Sequence, residues 1–174
     1  MSNTDQAKAI ADAMTTLWLD ELPATIRVLG AVSDANRDYR PDPRSRSAWE
    51  LATHIAISDN WFLDSIAQGE FHADREKAKA AAAALPDVNS VVALYKETVP
   101  AKLERLREMP ADGLAEVVDF FGMMQKSRAA WIGFANNHSV HHRGQLSTHL
   151  RSMGCKVPDI YGPSADSEQA RREG

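Results

Sequence analysis

Three of the chain's six histidines fall within five residues, at His138, His141 and His142. The surrounding apolar spacing predicts a helix, on which His138 and His142 project from one face with Cβ atoms roughly 5–6 Å apart. A single metal ion can bridge two imidazoles at that separation. Two histidines alone make a weak site, however, because a four-coordinate metal usually takes three or four protein ligands.

The residues around His54 make it the candidate for a third ligand. Leu51, Ile55 and Ser58 share the three-and-four spacing of one helix face. We therefore expect His54 to point into a helical bundle and not out to water.

The other histidines and the single cysteine are predicted to have other roles. His72 lies in a polar segment led by glycine and is expected in a loop. His149 is roughly 10 Å along the helix axis from His142 and is expected in the core or supporting a ligand. His141 is turned about 100° from His142, towards the surface or an interface. Cys155 is the only cysteine, so it has no partner for an internal disulfide, which is consistent with a reducing compartment. We interpret it as an ordinary small residue and not as a catalytic thiol.

Length and charge restrict the class of protein. The 174 residues suit one domain, expected over residues 1–163, with 164–174 as a flexible C-terminal tail. The chain has 24 acidic and 20 basic residues and no basic stripe, so no nucleic-acid partner is expected. It has no run near the roughly 20 apolar residues of a membrane span and no signal-peptide pattern, which predicts a cytoplasmic protein without a membrane partner.

Four long segments carry helical periodicity and predict an all-α four-helix bundle with long connections. The predicted helices span about 4–32, 47–69, 87 or 89 to 109, and 126 or 127 to 153. Ser47 and Glu50 form the capping-box pattern that begins the second helix. Residues 70–87 are predicted as a short surface helix or a mobile lid. Residues 114–122 are predicted as an extended connection, and the chain after Pro158 as irregular.

Spacing alone leaves two interpretations of the histidines open. They are core residues whose ring nitrogens are satisfied by hydrogen bonds, or they are metal ligands. Each unsatisfied ring nitrogen in the interior would cost on the order of 1–3 kcal/mol. A metal ion would satisfy one nitrogen of each ring at once.

The same residues resemble the DinB family of metal-binding four-helix bundles, which is unrelated to the DNA polymerase that shares the name. The C-terminal motif is His138-x-x-x-His142-Arg-Gly-Gln-Leu, then Leu150-Arg-x-x-Gly154 and Pro158-x-x-Tyr161-Gly162. The upstream motif is Leu51-Ala-x-His54-Ile-Ala, then Trp61-Phe62 and Gly69. The resemblance covers most of the chain and implies up-down-down-up topology. It also implies a divalent metal ion, commonly zinc or nickel, held by His54, His138 and His142 at the mouth of the bundle.

The resemblance identifies a site more narrowly than a reaction. Relatives include thiol-dependent transferases and isomerases that use bacillithiol or mycothiol. Three neutral imidazoles leave a metal its full charge and an open position, where water or a thiol would become a nucleophile near neutral pH. The first hypothesis is a hydrolase or thiol-dependent transferase acting on a small molecule, with a low-molecular-weight thiol as a candidate partner. The second is a non-catalytic stress-related or metal-sensing protein, and the third is a bundle without metal.

The sequence does not identify a general acid or base. Glu50, Asp59 and Tyr95 lie in segments expected near the site, but Glu50 belongs to the capping box and Asp59 is compatible with a solvent-facing position. Arg143 and Gln145 are expected to pack or to support the ligands, with the Arg143 side chain solvated.

Two further features concern surfaces and packing. Trp61 and Trp131 are expected in the core and not on a pocket wall. A homodimer is an open alternative, with His141, the first helix and the Phe120-Phe121 segment as candidate contacts.

Overall fold

The computed structural model describes residues 2–173. The elements, in chain order, are α1 Asn3–Gly30, a 3-10 helix Asp34–Asn36, α2 Ala48–Gln68, α3 Arg75–Ala83, α4 Val88–Arg107, α5 Ala111–Ala115, β1 Val117–Phe120, β2 Met124–Ser127, α6 Arg128–Ser152 and α7 Ala165–Glu173. The four long helices α1, α2, α4 and α6 form the predicted bundle. Helices α1 and α2 each pack against both α4 and α6, so α1 and α2 lie on one diagonal.

Side-chain pairs define the direction of each helix. Helix α2 runs parallel to α4, because Asp59 meets Tyr95 and Asp64 meets Lys102. Helix α1 runs antiparallel to α4, because Lys8 Nζ donates to the backbone carbonyl of Arg107 and Gly30 lies beside Val92. It runs parallel to α6, because Met14 lies beside Gly133 and Glu21 pairs with Arg143. The topology is therefore up-down-down-up, as expected.

The predicted helix boundaries have the expected local causes. Ser47 accepts from the Glu50 backbone N–H at 3.1 Å, and the Glu50 carboxylate accepts from the Ser47 N–H at 2.8 Å, which completes the capping box. Asp87 caps α4 by accepting from the Ser90 N–H at 2.8 Å. Helix α2 ends at Gly69, whose φ of 85° is accessible to glycine without the steric cost a side chain would add.

A β-hairpin replaces part of the predicted extended connection. Strand β1 pairs antiparallel with β2, from Val117 opposite Ser127 to Phe120 opposite Met124. The second strand was not predicted because its sequence, Met-Gln-Lys-Ser, lacks β-branched and aromatic residues. The indole N–H of Trp131 donates to the Val118 carbonyl at 3.1 Å and ties the hairpin to α6.

The chain after Pro158 is irregular up to Ser164, as predicted, but it ends in the helix α7, which was not predicted. Asp166 in α7 binds Arg151 at 2.7 Å and accepts from the backbone N–H of Val157 at 2.8 Å. These contacts of the Asp166 carboxylate hold α7 in place. Helix α7 buries none of its residues, so its sequence has no apolar periodicity from which the helix could be predicted. Flexibility of this tail stays a prediction.

The core lies between the four long helices and includes Trp18, Tyr95 and Trp131, all nearly or fully buried. Within residues 2–173, no helix is both long enough and apolar enough to cross a bilayer.

Candidate metal centre

The antiparallel packing of α2 and α6 brings the three predicted ligands together. His54 comes from the first half of α2, and His138 and His142 lie on successive turns of α6. One ring nitrogen from each histidine lies within 4.8 Å of the other two. The Nε2 atoms of His54 and His142 are 3.2 Å apart, and all three side chains are half-buried.

Burial favours the neutral form of each imidazole. Desolvation, followed by the nearby charge of Arg46, lowers the pKa of His54 to about 3. Desolvation and then the charge of His142 lower the pKa of His138 to about 4, and desolvation also lowers the pKa of His142. Neutral rings carry the lone pairs that a metal ion requires.

The donor set fits a divalent ion. Three imidazoles are the ligands typical of a catalytic zinc site and also suit nickel. The Nδ1 atom of His138 is buried and has no hydrogen-bond partner among the described residues. The His138 ring therefore differs from a fully hydrogen-bonded core histidine, and the triad could hold a metal ion.

Gln145 sets the tautomer of His142. Its amide oxygen Oε1 lies 2.8 Å from His142 Nδ1, and its Nε2 lies 3.1 Å from Nε2 of the exposed His141. An amide oxygen only accepts, so Nδ1 carries the proton and Nε2 keeps the lone pair that faces the cluster. The expected supporting role of Gln145 agrees with this contact.

Arg143 packs inside the bundle, and the expectation of a solvated side chain is wrong. The residue is 1% exposed. Its Nη1 pairs with the Glu21 carboxylate at 2.5 Å, and its Nη2 donates to the Tyr161 hydroxyl at 2.7 Å. Arg143 therefore joins α6 to α1 and to the segment after α6, and its role is packing.

Asp59 is also buried, which corrects the expectation that it is compatible with a solvent-facing position. It is 0% exposed and accepts hydrogen bonds from the Tyr95 hydroxyl at 2.9 Å and the Ser139 hydroxyl at 2.6 Å. Burial raises the pKa of Asp59 to about 7, against the opposing effect of the two hydrogen bonds. Glu50, by contrast, is exposed and tied to Arg40 at 2.7 Å.

A cavity of about 760 Å³ adjoins the histidines. His54 and His138 form part of its wall, together with aromatic residues from α2, β1 and α6. Trp61 is half-buried and lines this cavity, which corrects its assignment to the core, whereas Trp131 is fully buried as expected. Helix α3 covers one side, so residues 75–83 are a surface helix, and movement of this helix as a lid stays a prediction.

The remaining predicted residues lie outside the cluster. His72 is exposed beside Glu70, and His141 is exposed on α6. His149 is buried, with its ring nitrogens 2.8 and 3.2 Å from the carbonyl oxygens of Gln145 and Arg46. Sequence reasoning missed Arg46, which lines the cavity. Its only sequence signal is its place just before the Ser47 cap, at the His54 end of α2.

The fold and site define a class: an up-down-down-up helical bundle with three histidines gathered between two antiparallel helices. The family model described as DinB family matches residues 1–173. The chain belongs to the DinB family.

Two proteins of Bacillus subtilis are similar in sequence. The uncharacterized protein YjoA is 31% identical over 137 residues, covering 79% of this chain and 86% of YjoA. The uncharacterized protein YrdA is 27% identical over 154 residues, covering 86% of each.

Crystal structures of DinB-like proteins share the fold. The YjoA structure covers 87% of this chain and 99% of its own, with 23% identity and a TM-score of 0.67. A DinB-like protein from Bacillus cereus covers 86% of this chain and 97% of its own, with 22% identity and a TM-score of 0.70.

Proposed function

We propose that the protein binds a divalent metal ion, zinc or nickel, through His54, His138 and His142, and uses it in a hydrolase or a thiol-dependent transferase reaction on a small molecule. The observation that carries this proposal is the cluster of three neutral imidazoles beside a cavity of about 760 Å³, whose wall includes His54 and His138. A purely structural ion would need neither an adjoining cavity nor a three-ligand set, since structural zinc sites usually have four protein ligands.

A divalent ion bound by three neutral ligands supplies Lewis acidity and lowers the pKa of a water or thiol at its open position. The protein's own groups position the ligands and the substrate. Gln145 holds the His142 ring in one tautomer through the contact of 2.8 Å. The aromatic wall of the cavity excludes water from the apolar part of a bound molecule.

One observation favours the alternative of a non-catalytic, metal-sensing or stress-related protein. The carboxylates on the cavity wall are those of Glu50 and Asp74. Glu50 is paired with Arg40, and Asp74 caps α3 by accepting from the Lys77 N–H at 2.8 Å. A general acid or base is thus not evident on the wall.

Metal content and turnover distinguish these functions. Protein purified without an affinity tag is analysed for metal, then assayed with ester and amide substrates and with low-molecular-weight thiols plus electrophilic acceptors. We expect about one divalent ion per chain in the wild type and in His141→Ala, and its loss in His142→Ala. Turnover that disappears only in His142→Ala supports the proposed reaction. Stoichiometric metal without turnover across the panel supports the non-catalytic alternative, and absence of metal from the wild type contradicts both.

We also propose a homodimer. Exposed apolar side chains occur on the elements expected at its interface, with Leu17 on α1 and Phe121 at the hairpin each 45% exposed. Sedimentation equilibrium of the wild type and of Phe121→Ser tests this, because a dimer that uses the hairpin weakens in the variant.

A further inference from the structure

We propose that the cavity beside the three histidines binds a small anionic molecule with an aromatic or similarly flat apolar body. Arg46 would hold its anionic group, and the aromatic wall would hold its body. This inference rests on the proposed function, since it names the substrate class of the same site. Three observations carry it: the aromatic wall, the charge balance of the rim and the position of Arg46.

The aromatic wall forms one continuous surface. The ring centroids of Trp61 and Phe62 are 4.8 Å apart. The Phe62 centroid lies 6.4 Å from the Phe120 centroid and 6.0 Å from the Phe134 centroid. Helix α3 contributes the small side chains of Ala78 and Ala82 to the cavity lining. A flat apolar group would bury its face against this aromatic surface, and a volume of about 760 Å³ is in the range of small-molecule sites.

The rim of this cavity has unbalanced positive charge. Of its two carboxylates, Glu50 is paired with Arg40 through two bonds of 2.7 Å, which leaves the single charge of Asp74, the cap of α3. Its three cations are Arg46, Arg75 and Lys79. Across the part of the chain that the structure describes, these three have no ion-pair partner within 4.0 Å. An anionic ligand would supply the missing negative charge.

Arg46 is the cation of this rim that shares cavity walls with all three histidines. It lines the main cavity with His54 and His138, and it lines the neighbouring cavity of about 380 Å³ with His142. Its backbone is held in place, since its carbonyl oxygen is 3.2 Å from Nε2 of the buried His149. An anionic group at Arg46 would therefore lie beside the histidines, with the attached body directed along the aromatic wall.

The chain offers two matched controls for these cations. Arg44 is exposed two residues before Arg46, and Lys77 is exposed two residues before Lys79 on α3. Neither Arg44 nor Lys77 is among the residues that line the main cavity. Each control variant removes the same charge from the same segment without changing the cavity wall.

Isothermal titration calorimetry on the metal-loaded full chain tests the inference with three probes. Naphthoate has both proposed features, naphthamide has the rings without the charge, and octanoate has the charge without the rings. We expect naphthoate to bind at least about tenfold more tightly than either of the others, equivalent to about 1.4 kcal/mol. Arg46→Ala should lower naphthoate affinity about tenfold and leave naphthamide unchanged, whereas Arg46→Lys should retain most of the affinity. Lys79→Ala should weaken naphthoate binding less, and Arg44→Ala and Lys77→Ala should not change it.

A carboxylate can also bind a metal ion directly, so the titrations are repeated on folded protein stripped with a chelator. The dependence on Arg46 is expected to persist there. The inference is overturned if naphthoate and naphthamide bind with equal affinity or if no probe binds. It is also overturned if Arg46→Ala and Arg44→Ala have equal effects. Stoichiometric metal with no naphthoate binding would overturn this inference alone, leaving the proposed function standing. Arg46-dependent naphthoate binding by a protein that holds no metal would support the inference and refute the proposed function.

Discussion

The Nε2 atoms of His54 and His142 lie 3.2 Å apart although 88 residues separate them along the chain. The crossing of α2 and α6 thus places these two half-buried ring nitrogens within hydrogen-bonding distance, with a ring nitrogen of His138 within 4.8 Å of both ligand atoms. Neutral acceptors held this close destabilise the fold unless a proton or a metal ion lies between them. A metal ion that bridges these nitrogens would add its binding free energy to the stability of the bundle.

Metal should therefore stabilise the folded protein. A ligand that binds the native state at 100 times its Kd contributes about 2.7 kcal/mol to the free energy of unfolding. We expect zinc or nickel to raise the thermal midpoint of chelator-treated protein, with the rise lost in His54→Ala. His72→Ala, whose ring is exposed and outside the cluster, serves as the control. A midpoint that metal leaves unchanged in the wild type would contradict the assignment of the ligands.

Gln145→Ala should weaken metal binding without unfolding the protein. The amide oxygen of Gln145 fixes the His142 tautomer, and loss of such a supporting contact typically lowers metal affinity about 10–100-fold. Competition with a chromogenic chelator measures the change. Gln145→Glu retains an acceptor and should keep most of the affinity. Thr148→Ala, on the next turn, should bind as the wild type does, and an equal loss in both alanine variants would refute the tautomer argument.

Arg143→Ala should destabilise the bundle by about 3–5 kcal/mol, because it leaves the Glu21 carboxylate without its buried partner. Urea denaturation measures the free energy of unfolding. Arg151→Ala removes an arginine of the same helix whose ion pair is exposed, so its effect should be far smaller. Equal effects of the two substitutions would show that the buried position of Arg143 does not matter.

Asp59 should make the protein less stable as the pH rises. Its pKa is 3.8 in the unfolded chain and about 7 in the fold. The folded state therefore binds more protons between these values, and the stabilisation present below the unfolded pKa is lost as the pH rises through the folded pKa. Relative to Asp59→Asn, the wild type should lose about 2–3 kcal/mol of unfolding free energy between about pH 5 and about pH 8.

Urea denaturation of both proteins in the same metal state isolates this contribution. The lowered pKa values of the histidines change stability in the opposite direction over part of this range, but they are common to both proteins and cancel in the difference. A difference that stays constant with pH would mean that Asp59 is ionised in the folded protein.

The long helices and the histidine cluster could be predicted because both follow from local spacing. Ser47 with Glu50 fixes one helix start, and the four-residue separation of His138 and His142 places them on one face. The third ligand needed the further assumption that the face around His54 is buried. That assumption is confirmed by the packing of α2 against α6.

The features that sequence reasoning missed depend on tertiary partners. A carboxylate on a helix usually faces water, and only the hydroxyls of Tyr95 and Ser139, from two other helices, allow Asp59 to be buried. Arg143 is buried for the same reason, with Glu21 as its partner. Arg46 lies outside any helical pattern, so nothing in its local sequence indicates that it faces the cavity.

Gly144 allows a test of which part of the His-Arg-Gly-Gln motif is needed for packing. It lies inside α6, and a Cβ added there would meet no atom within 4 Å. Glycine in a helix interior costs roughly 0.5–1 kcal/mol relative to alanine, so Gly144→Ala should stabilise the protein by about that amount and leave metal content unchanged.

Gly133→Ala is the contrasting variant, because its Cβ would lie 2.9 Å from Met14 Sδ at the contact of α1 with α6 and would force that side chain to move. Its gain in stability should be smaller or reversed. Urea denaturation and metal analysis measure both variants. If Gly144→Ala keeps its fold and metal but loses turnover or dimerisation, the space beside Gly144 is occupied in the working protein by a substrate or a second chain.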